Sequence, residues 1–457
     1  MSDRAADVVI CGAGIAGIAA AYHLAVRRGV SDVVLVDERP PLSLTSDKST
    51  ECYRNWWPGP GDAMVAVMNR SIDLLEELAR ESGNVFRMNR RGYLFATADP
   101  ARVPDLVRAA RDAAALGAGP VRLHDRADSE YQPAPAEGFE AQPTGSDMIT
   151  DRALIRRHFG WLADDTIALL HARRCGWLSG QQLGMYLLER ARDKGVRLLE
   201  GRVERVETAG GRVAAVRVSG AGGTRALATP RFVLAAGPML QAVGRLLGAD
   251  LPVFCERHAK VAFNDVLGAM PREAPMTIWS DPVRLPWSEE ERVELAGSGH
   301  RLLLDEFPAG VHGRPEGAGE SRAVLLIWAY DVRPVAPTFP VEFDPTYAEI
   351  TIRGMSRAVP AMGGYLSRLP RAFVDGGYYT KTRENCFLAG PLPLAGAYVL
   401  GALSGYGIMA ANAAADLLAD HITGGALPHY APAFRLERYD DPSYRALLDR
   451  WGESGQL

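Results

Sequence analysis

The residues with the plainest chemical meaning stand near the start of the chain. An apolar run, residues 7–11, is followed at once by Gly12-Ala13-Gly14-Ile15-Ala16-Gly17, then by an alanine-rich stretch of helical pattern to Arg28, with Gly29 as its stop. A second apolar run, Val33 to Val36, ends at Asp37, with Glu38 and Arg39 directly after it. Strand, glycine turn, helix, strand and acid in this order make a dinucleotide site. Gly12 allows the tight turn, Gly14 lets a pyrophosphate approach the backbone, and Gly17 lets helix and strand pack closely. The helix start offers free N–H groups and a positive dipole end to phosphate, and Asp37 stands where a carboxylate can accept from ribose hydroxyls.

Three further segments favour a flavin over a nicotinamide. Leu44 to Thr50 carries Ser46, Lys48, Ser49 and Thr50, with Arg54 just beyond. Its hydroxyls and amides can line a phosphate and a flavin edge. Gly195 to Val203 reads as a strand whose backbone can meet an adenine at Val203, and Arg231 to Pro238 as an apolar strand running into Ala236 and Gly237 beside the cofactor. Ala397 to Leu403 leads through Ser404 into Gly405-Tyr406-Gly407-Ile408-Met409 and an alanine-rich helix to about His421. The start of that helix can face the ring and stabilise the negative charge of reduced flavin.

Together with Gly377-Tyr378-Tyr379-Thr380-Lys381 and the stretch to Pro393, these segments resemble the D-amino-acid-oxidase superfamily of FAD oxidoreductases. Within it they are most similar to the sarcosine oxidase, glycine oxidase and dimethylglycine dehydrogenase branch. The resemblance implies an α/β (α+β) fold: a Rossmann-like FAD-binding domain interleaved with a substrate domain on a mixed β-sheet. The first would use 1–90, 145–250 and 375–430, the second 91–144 and 251–374, with 431–457 a tail packed on the surface or on another subunit. It implies hydride transfer from a C–N bond of an amine or amino-acid derivative to flavin N5, with oxygen or another electron acceptor completing the cycle. Alternatives are oxidation of a 2-hydroxy acid, or a flavin-binding subunit of a larger dehydrogenase complex. In the substrate region, Leu251 to Phe263 and Arg322 to Tyr330 read as strands, and the Gly- and Pro-rich Gly310 to Gly319 as a loop.

The chain also departs from that branch. Where some relatives attach flavin through a histidine, the nearest residues are Asp47 and Lys48, and where others use a cysteine, Gly377 stands. Noncovalent FAD is the expectation. The arginine and lysine that hold a substrate carboxylate in relatives fall on Trp57 and Met409, and the arginine of glycine oxidase falls on Tyr379. The lysine that promotes reaction with oxygen falls within the apolar Val324 to Trp328; Lys260 could replace it from another strand, and its loss would favour a dehydrogenase. The candidate catalytic residues are therefore Arg54, which can stabilise reduced flavin, His258 and Lys260 on one strand face, Tyr330, Tyr379 and Tyr406. Trp56, Trp57 and Trp328 could wall the substrate.

The 457 residues suffice for two or three domains, and 47% hydrophobic with 23% charged residues is an ordinary globular composition. A net charge of −4 without a basic stripe argues against nucleic acid. Five scattered cysteines without a CxxC, and histidines without an HxH or HExxH, argue against a disulfide framework and a metal. The longest apolar stretch, Phe387 to Leu403, is broken by Gly and Pro, so no membrane span and a cytoplasmic location are expected, with a homo-oligomer open. The chain has only four lysines, Lys48, Lys194, Lys260 and Lys381, which limits any lysine-dependent step.

Overall fold

A computed structural model describes residues 5–46, 48–57, 59 and 61–450, the last without its side chain. Asp47 and the tail end 451–457 lie outside the described residues.

Two sheets organise the chain. The first has six strands in the order Leu388–Pro391, Ala397–Gly401, Phe232–Leu234, Val8–Cys11, Val33–Asp37, Arg197–Glu200. All pairings are parallel except that of the Leu388–Pro391 edge. Its central strands are fully buried (Val8, Val9 and Ile10 are 0% exposed), as their unbroken Val/Ile/Leu runs require of a parallel sheet covered on both faces. On one face the helices Ile15–Tyr22, Ala63–Ser82 and Gly407–Thr423 pack together. Alanines at 19–21 and at 410, 411 and 413–415 keep the contacting surfaces low enough for close approach. A three-stranded antiparallel sheet, Arg202–Ala209, Arg212–Gly220 and Gly223–Ala228, lies against the other face.

The second sheet has nine strands, in the order Phe373–Lys381, Phe254–Asn264, Ala323–Ile327, His312–Pro315, Met276–Trp279, Tyr93–Thr97, Ala168–Ala172, Ser146–Ile149, Val121–His124. Parity splits its residues cleanly. Val261, Phe263, Val324, Leu326, Trp328, Val311 and Trp279 form a core with the helix Tyr347–Ala358. The opposite face is divided between apolar and polar residues. Half of that face is apolar, with Tyr93, Phe95, Met276 and Ile278 packed on Trp56. The other half bears His258, Lys260, His312 and Arg314.

Two expectations need correction. Within 145–250, assigned above to the cofactor unit, Ser146–Ile149 and Ala168–Ala172 pair with Tyr93–Thr97 and Val121–His124 in the nine-stranded sheet. A strand's sequence shows its faces but not its partner, so the boundary was not legible. Gly310 to Gly319 is not all loop: His312–Pro315 is a central strand, and its Gly313 is needed because a Cβ there would lie 2.3 Å from Leu326 Cδ2 and 3.0 Å from the Leu325 carbonyl. The tail, as far as 450, packs on its own chain, with Phe434 stacked on Phe387 at 4.0 Å and Arg438 paired with buried Glu384.

Candidate active site

Every parallel strand of the six-stranded sheet ends, at its carboxyl end, on one long cavity of about 400 Å³. Cys11 and Gly12, Val36 and Asp37, Ala235 and Ala236, and Gly401 and Ala402 line it, as ligands lie in open α/β sheets. Of the cofactor residues expected from sequence, Gly12, Gly14, Ile15, Ala16, Asp37, Glu38, Arg39, Ser46, Ser49, Val203, Ala236, Gly237, Gly405, Gly407 and Ile408 all line this cavity. The turn is built as its glycines predict. Gly12 has φ +114° and a Cβ there would lie 2.3 Å from the Ala235 carbonyl; a Cβ on Gly17 would lie 1.9 Å from the Gly12 carbonyl. Asp37 is also the brace of the turn: one of its oxygens accepts from Ala13 N–H (2.7 Å) and the other from Arg39 N–H (2.9 Å). A carboxylate offers about four lone-pair sites, so a ribose can still be bound. Ser46 Oγ accepts from Ile15 N–H at 3.0 Å, which puts a hydroxyl at the helix N-terminus where phosphate binds. A β-bulge between Val203 and Arg205 bends the strand where it meets the cavity.

Six expected cofactor residues, Tyr406 (described below) among them, lie off the cavity. Gly17 and Ala13 act from beneath, through packing and through the bond to Asp37. Lys48 binds Asp375 at 2.8 Å and lies over Gly377, so it does not serve as a phosphate cation. Thr50 contributes its carbonyl to Arg314 Nε (2.8 Å) rather than its hydroxyl to the cavity. Met409 points into the helix core, because the first turn of Gly407–Thr423 offers its opposite side, Gly407 and Ile408, to the cavity.

The catalytic candidates divide. Tyr379 lines the cavity, and His258 lies flat against it at 4.1 Å between ring centres, its Nε2–H donating to Glu256, which Lys381 also binds. Burial holds the Tyr379 hydroxyl well above its ordinary pKa and lowers that of His258, so both rings are neutral at neutral pH. Arg54 is 4% exposed, its guanidinium 4.4 Å from the Trp57 ring centre and 5.8 Å from that of Tyr93. Burial lowers its pKa, but a guanidinium stays charged throughout the working range. Two candidates are displaced. Tyr330 stacks on Tyr347 on the core side of the nine-stranded sheet, in step with Leu326 and Trp328, and Trp328 fills the space above Gly354 there, so it forms no wall with Trp56 and Trp57. Tyr406 is buried, with its hydroxyl donating to the Asn385 carbonyl (2.7 Å) and its ring edge-on to Trp57; it fixes the turn.

Three residues not singled out from sequence complete the polar half-face: Glu51, His312 and Arg314. Arg314 is 0% exposed, ion-paired with Glu316 at 2.7 Å. Nothing in the sequence marks it, because the Gly/Pro-rich context hides a strand. Glu51 sits in the left-handed region (φ +55°) and its carboxylate reaches toward Gly180. Burial pushes its carboxyl up to about 7, against the opposing pull of Arg314 and Lys260. A carboxyl with a folded pKa above its unfolded value contributes stability that is present in acid and lost as pH rises, here between about 4.5 and about 7. Glu51→Gln is therefore expected to raise the thermal midpoint above that of the wild type at about pH 8.5 and to lose this advantage near pH 5. Equal offsets at both pH values would contradict a raised pKa. Among the described residues, no group of three His, Cys, Asp or Glu could hold a metal, and no helix is long and apolar enough to cross a membrane.

A glycine-turn sheet, an Asp-braced helix start and a cavity bounded by the edge strand Phe373–Lys381 define a dinucleotide-binding protein. Residues 7–421 match the DAO family of FAD-dependent oxidoreductases, and the chain belongs to that family. No curated protein sequence matches it. Similar solved structures include L-proline dehydrogenase from P. horikoshii (19% identity, TM-score 0.72, 96% of this chain and 98% of that one). Glycine oxidase from Geobacillus kaustophilus (16%, 0.69, 94% and 98%) and L-amino acid deaminase from Proteus vulgaris (15%, 0.69, 95% and 97%) are also similar. At these identities the likeness shows the fold. FAD suits the residues present: the cradle of Gly12 and Gly17 leaves no room for a Cβ, and the cavity continues from Asp37 to the Gly405–Gly407 turn.

Proposed function

We propose that this FAD-dependent oxidoreductase oxidises a C–N bond of a small amine or amino-acid derivative. The observation that carries the reading is fold-wide likeness to enzymes whose names give proline, glycine and amino acids as substrates, over 94% or more of this chain. Bound FAD supplies the hydride acceptor; the chain supplies binding, orientation and electrostatics. In this reading Asp37, Ser46 and the Gly12–Gly17 turn hold the adenosine and phosphates. The start of helix Gly407–Thr423 and Arg54 offer positive potential to the reduced ring. Tyr379, braced by His258, bounds the substrate side. The nine-stranded sheet, including 145–172, serves as the substrate unit.

The cofactor is held noncovalently. Lys48 packs over Gly377, a Cβ of which would lie 3.3 Å from Lys48 Cβ, so the place of a linking cysteine is taken by an aliphatic stem. Cys11, which lines the cavity, has its thiol pushed up to about 12 by burial, then by Asp37 and Glu38, and is inert as a nucleophile. Acid precipitation is expected to leave the yellow colour in the supernatant; a yellow pellet would contradict noncovalent binding.

The test of the reaction is anaerobic mixing of the yellow protein with L-proline, glycine, other amino acids, secondary amines and 2-hydroxy acids. Bleaching of the flavin band by an amine is expected. Bleaching by hydroxy acids alone would replace this reading with C–O oxidation.

A further inference from the structure

The segment between the strand Ala323–Ile327 and the helix Tyr347–Ala358 makes an out-and-back excursion over the nine-stranded sheet. It first meets the strand Phe254–Asn264, beyond the part that Ala323–Ile327 pairs. There Val335 N–H donates to the Cys255 carbonyl at 2.8 Å, and Pro334 forms an antiparallel bridge with Glu256. It then crosses the sheet face that carries Arg257 and Tyr378, which stand opposite each other on neighbouring strands. Thr338 lies on Tyr378, whose hydroxyl accepts from the Thr338 N–H (3.1 Å) and donates to the Thr338 carbonyl (3.0 Å). On the way back Arg257 donates to the Glu342 carbonyl at 2.8 Å. Phe343 packs over Gly376, where a Cβ would lie 2.8 Å from its ring. Phe339 is at the turning point.

Phe339 reaches beyond the sheet that carries the excursion. Its ring is edge-on to Tyr378 at 5.6 Å, and both residues line the cofactor cavity. The Arg39 guanidinium lies 5.0 Å from the same ring centre. Arg39 belongs to the other unit: it follows the strand Val33–Asp37, and its N–H donates to the Asp37 carboxylate. An aromatic from 251–374, assigned from sequence to substrate alone, thus stands at the ribose end of the cofactor site. The excursion is held there by surface contacts, since no residue of 331–346 joins any of the apolar cores. Pro334, Pro337, Pro340 and Pro345 stiffen it, so that it moves as one piece.

We propose that Phe339 is a cofactor-retaining residue: the strap 334–343 closes the cavity over the AMP half of FAD, latched by Phe339 on Arg39 and Tyr378, and FAD leaves when the strap lifts. The inference rests on the placement of FAD in this cavity with its ribose on Asp37. The cation–π contact on Arg39 ties the two units together across the cofactor, and the aromatic pair with Tyr378 fixes the ring over the cavity.

The experiment uses the full FAD-loaded chain and its Phe339→Ala, Phe339→Tyr and Tyr378→Phe variants, with the Phe339→Ala/Tyr378→Phe double variant. Far-UV circular dichroism and thermal midpoint report the fold. Release of fluorescent FAD after dilution into flavin-free buffer reports the latch. Alanine is expected to speed release about tenfold, the combined worth of one cation–π contact and one aromatic pair at a half-buried site. Tyrosine keeps the ring and stays within about twofold of the wild type. Tyr378→Phe removes only the hydroxyl that holds Thr338, and is expected to speed release several-fold. Because both changes open the same strap, the double variant should release about as fast as Phe339→Ala alone. Wild-type release from Phe339→Ala overturns the proposal, as does a lower thermal midpoint with unchanged release, or equal acceleration by tyrosine and alanine. Should the alanine variant not accumulate, wild-type release from Tyr378→Phe overturns it equally. A Gly17→Ala protein that stays fully yellow overturns the placement of FAD in this cavity, and this inference with it.

Discussion

Replacing Gly17 by alanine is expected to give a colourless protein. The new Cβ would lie 1.9 Å from the Gly12 carbonyl oxygen and 3.0 Å from its carbon. Both are backbone, so relief requires the turn itself to open. Opening it moves the N–H groups of the helix start off the phosphates and breaks the Ala13–Asp37 bond that braces the turn. The steric cost is on the order of several kcal/mol, and it falls on the part of the fold that binds the cofactor. Gly14→Ala is the internal comparison. Its Cβ would meet only Ser46 Oγ, at 3.2 Å, the end of a side chain that can rotate away. It should keep the fold and weaken FAD binding more mildly. The ratio of flavin to protein absorbance after gel filtration checks both; a fully yellow Gly17→Ala protein would contradict the argument.

The second large effect comes from the other end of the chain. Arg438→Ala is expected to cost about 3–5 kcal/mol of stability and to speed loss of FAD. Arg438 donates to Glu384 Oε1 at 2.7 Å and to the carbonyls of Cys386 and Phe387 at 2.9 and 3.0 Å. The Glu384 side chain is 0% exposed, and the hydroxyls of Tyr439 and Tyr444 also donate to it. Removing the guanidinium strands a buried carboxylate, and truncating the partner of a buried charge is among the costliest single changes. The loop affected is the one whose Asn385 carbonyl holds the Tyr406 hydroxyl, and through it the Gly405–Gly407 turn on the cavity. A lower thermal midpoint should therefore come with faster release of fluorescent flavin. A loss of stability with unchanged release would mean that the tail supports the fold but not the turn.

Two kinds of information separate here. The cofactor half was legible because its signals are local. Gly12, Gly14, Gly17 and Asp37 act at fixed spacings along one strand–turn–helix–strand unit, and backbone sterics make each position nearly unique in residue type. The late turn at Gly405–Gly407 was legible for the same reason. Residues chosen by side-chain type alone fared less well. Lys48 stands between the cavity-lining Ser46 and Ser49, but Asp375, on a distant strand, takes its charge. Tyr330 was on the right strand continuation but on the face that alternation gives to the core.

The sequence by itself determined the family, the dinucleotide cradle and the class of cofactor, because these depend on backbone geometry set within a few residues. The tertiary structure alone decided which strands share the second sheet and which half of its face is polar. It also decided which polar side chains, His312 and Arg314 among them, share that half. Strand partners and sheet faces are fixed by contacts between residues far apart in the chain, through burial and hydrogen bonding that no short spacing encodes.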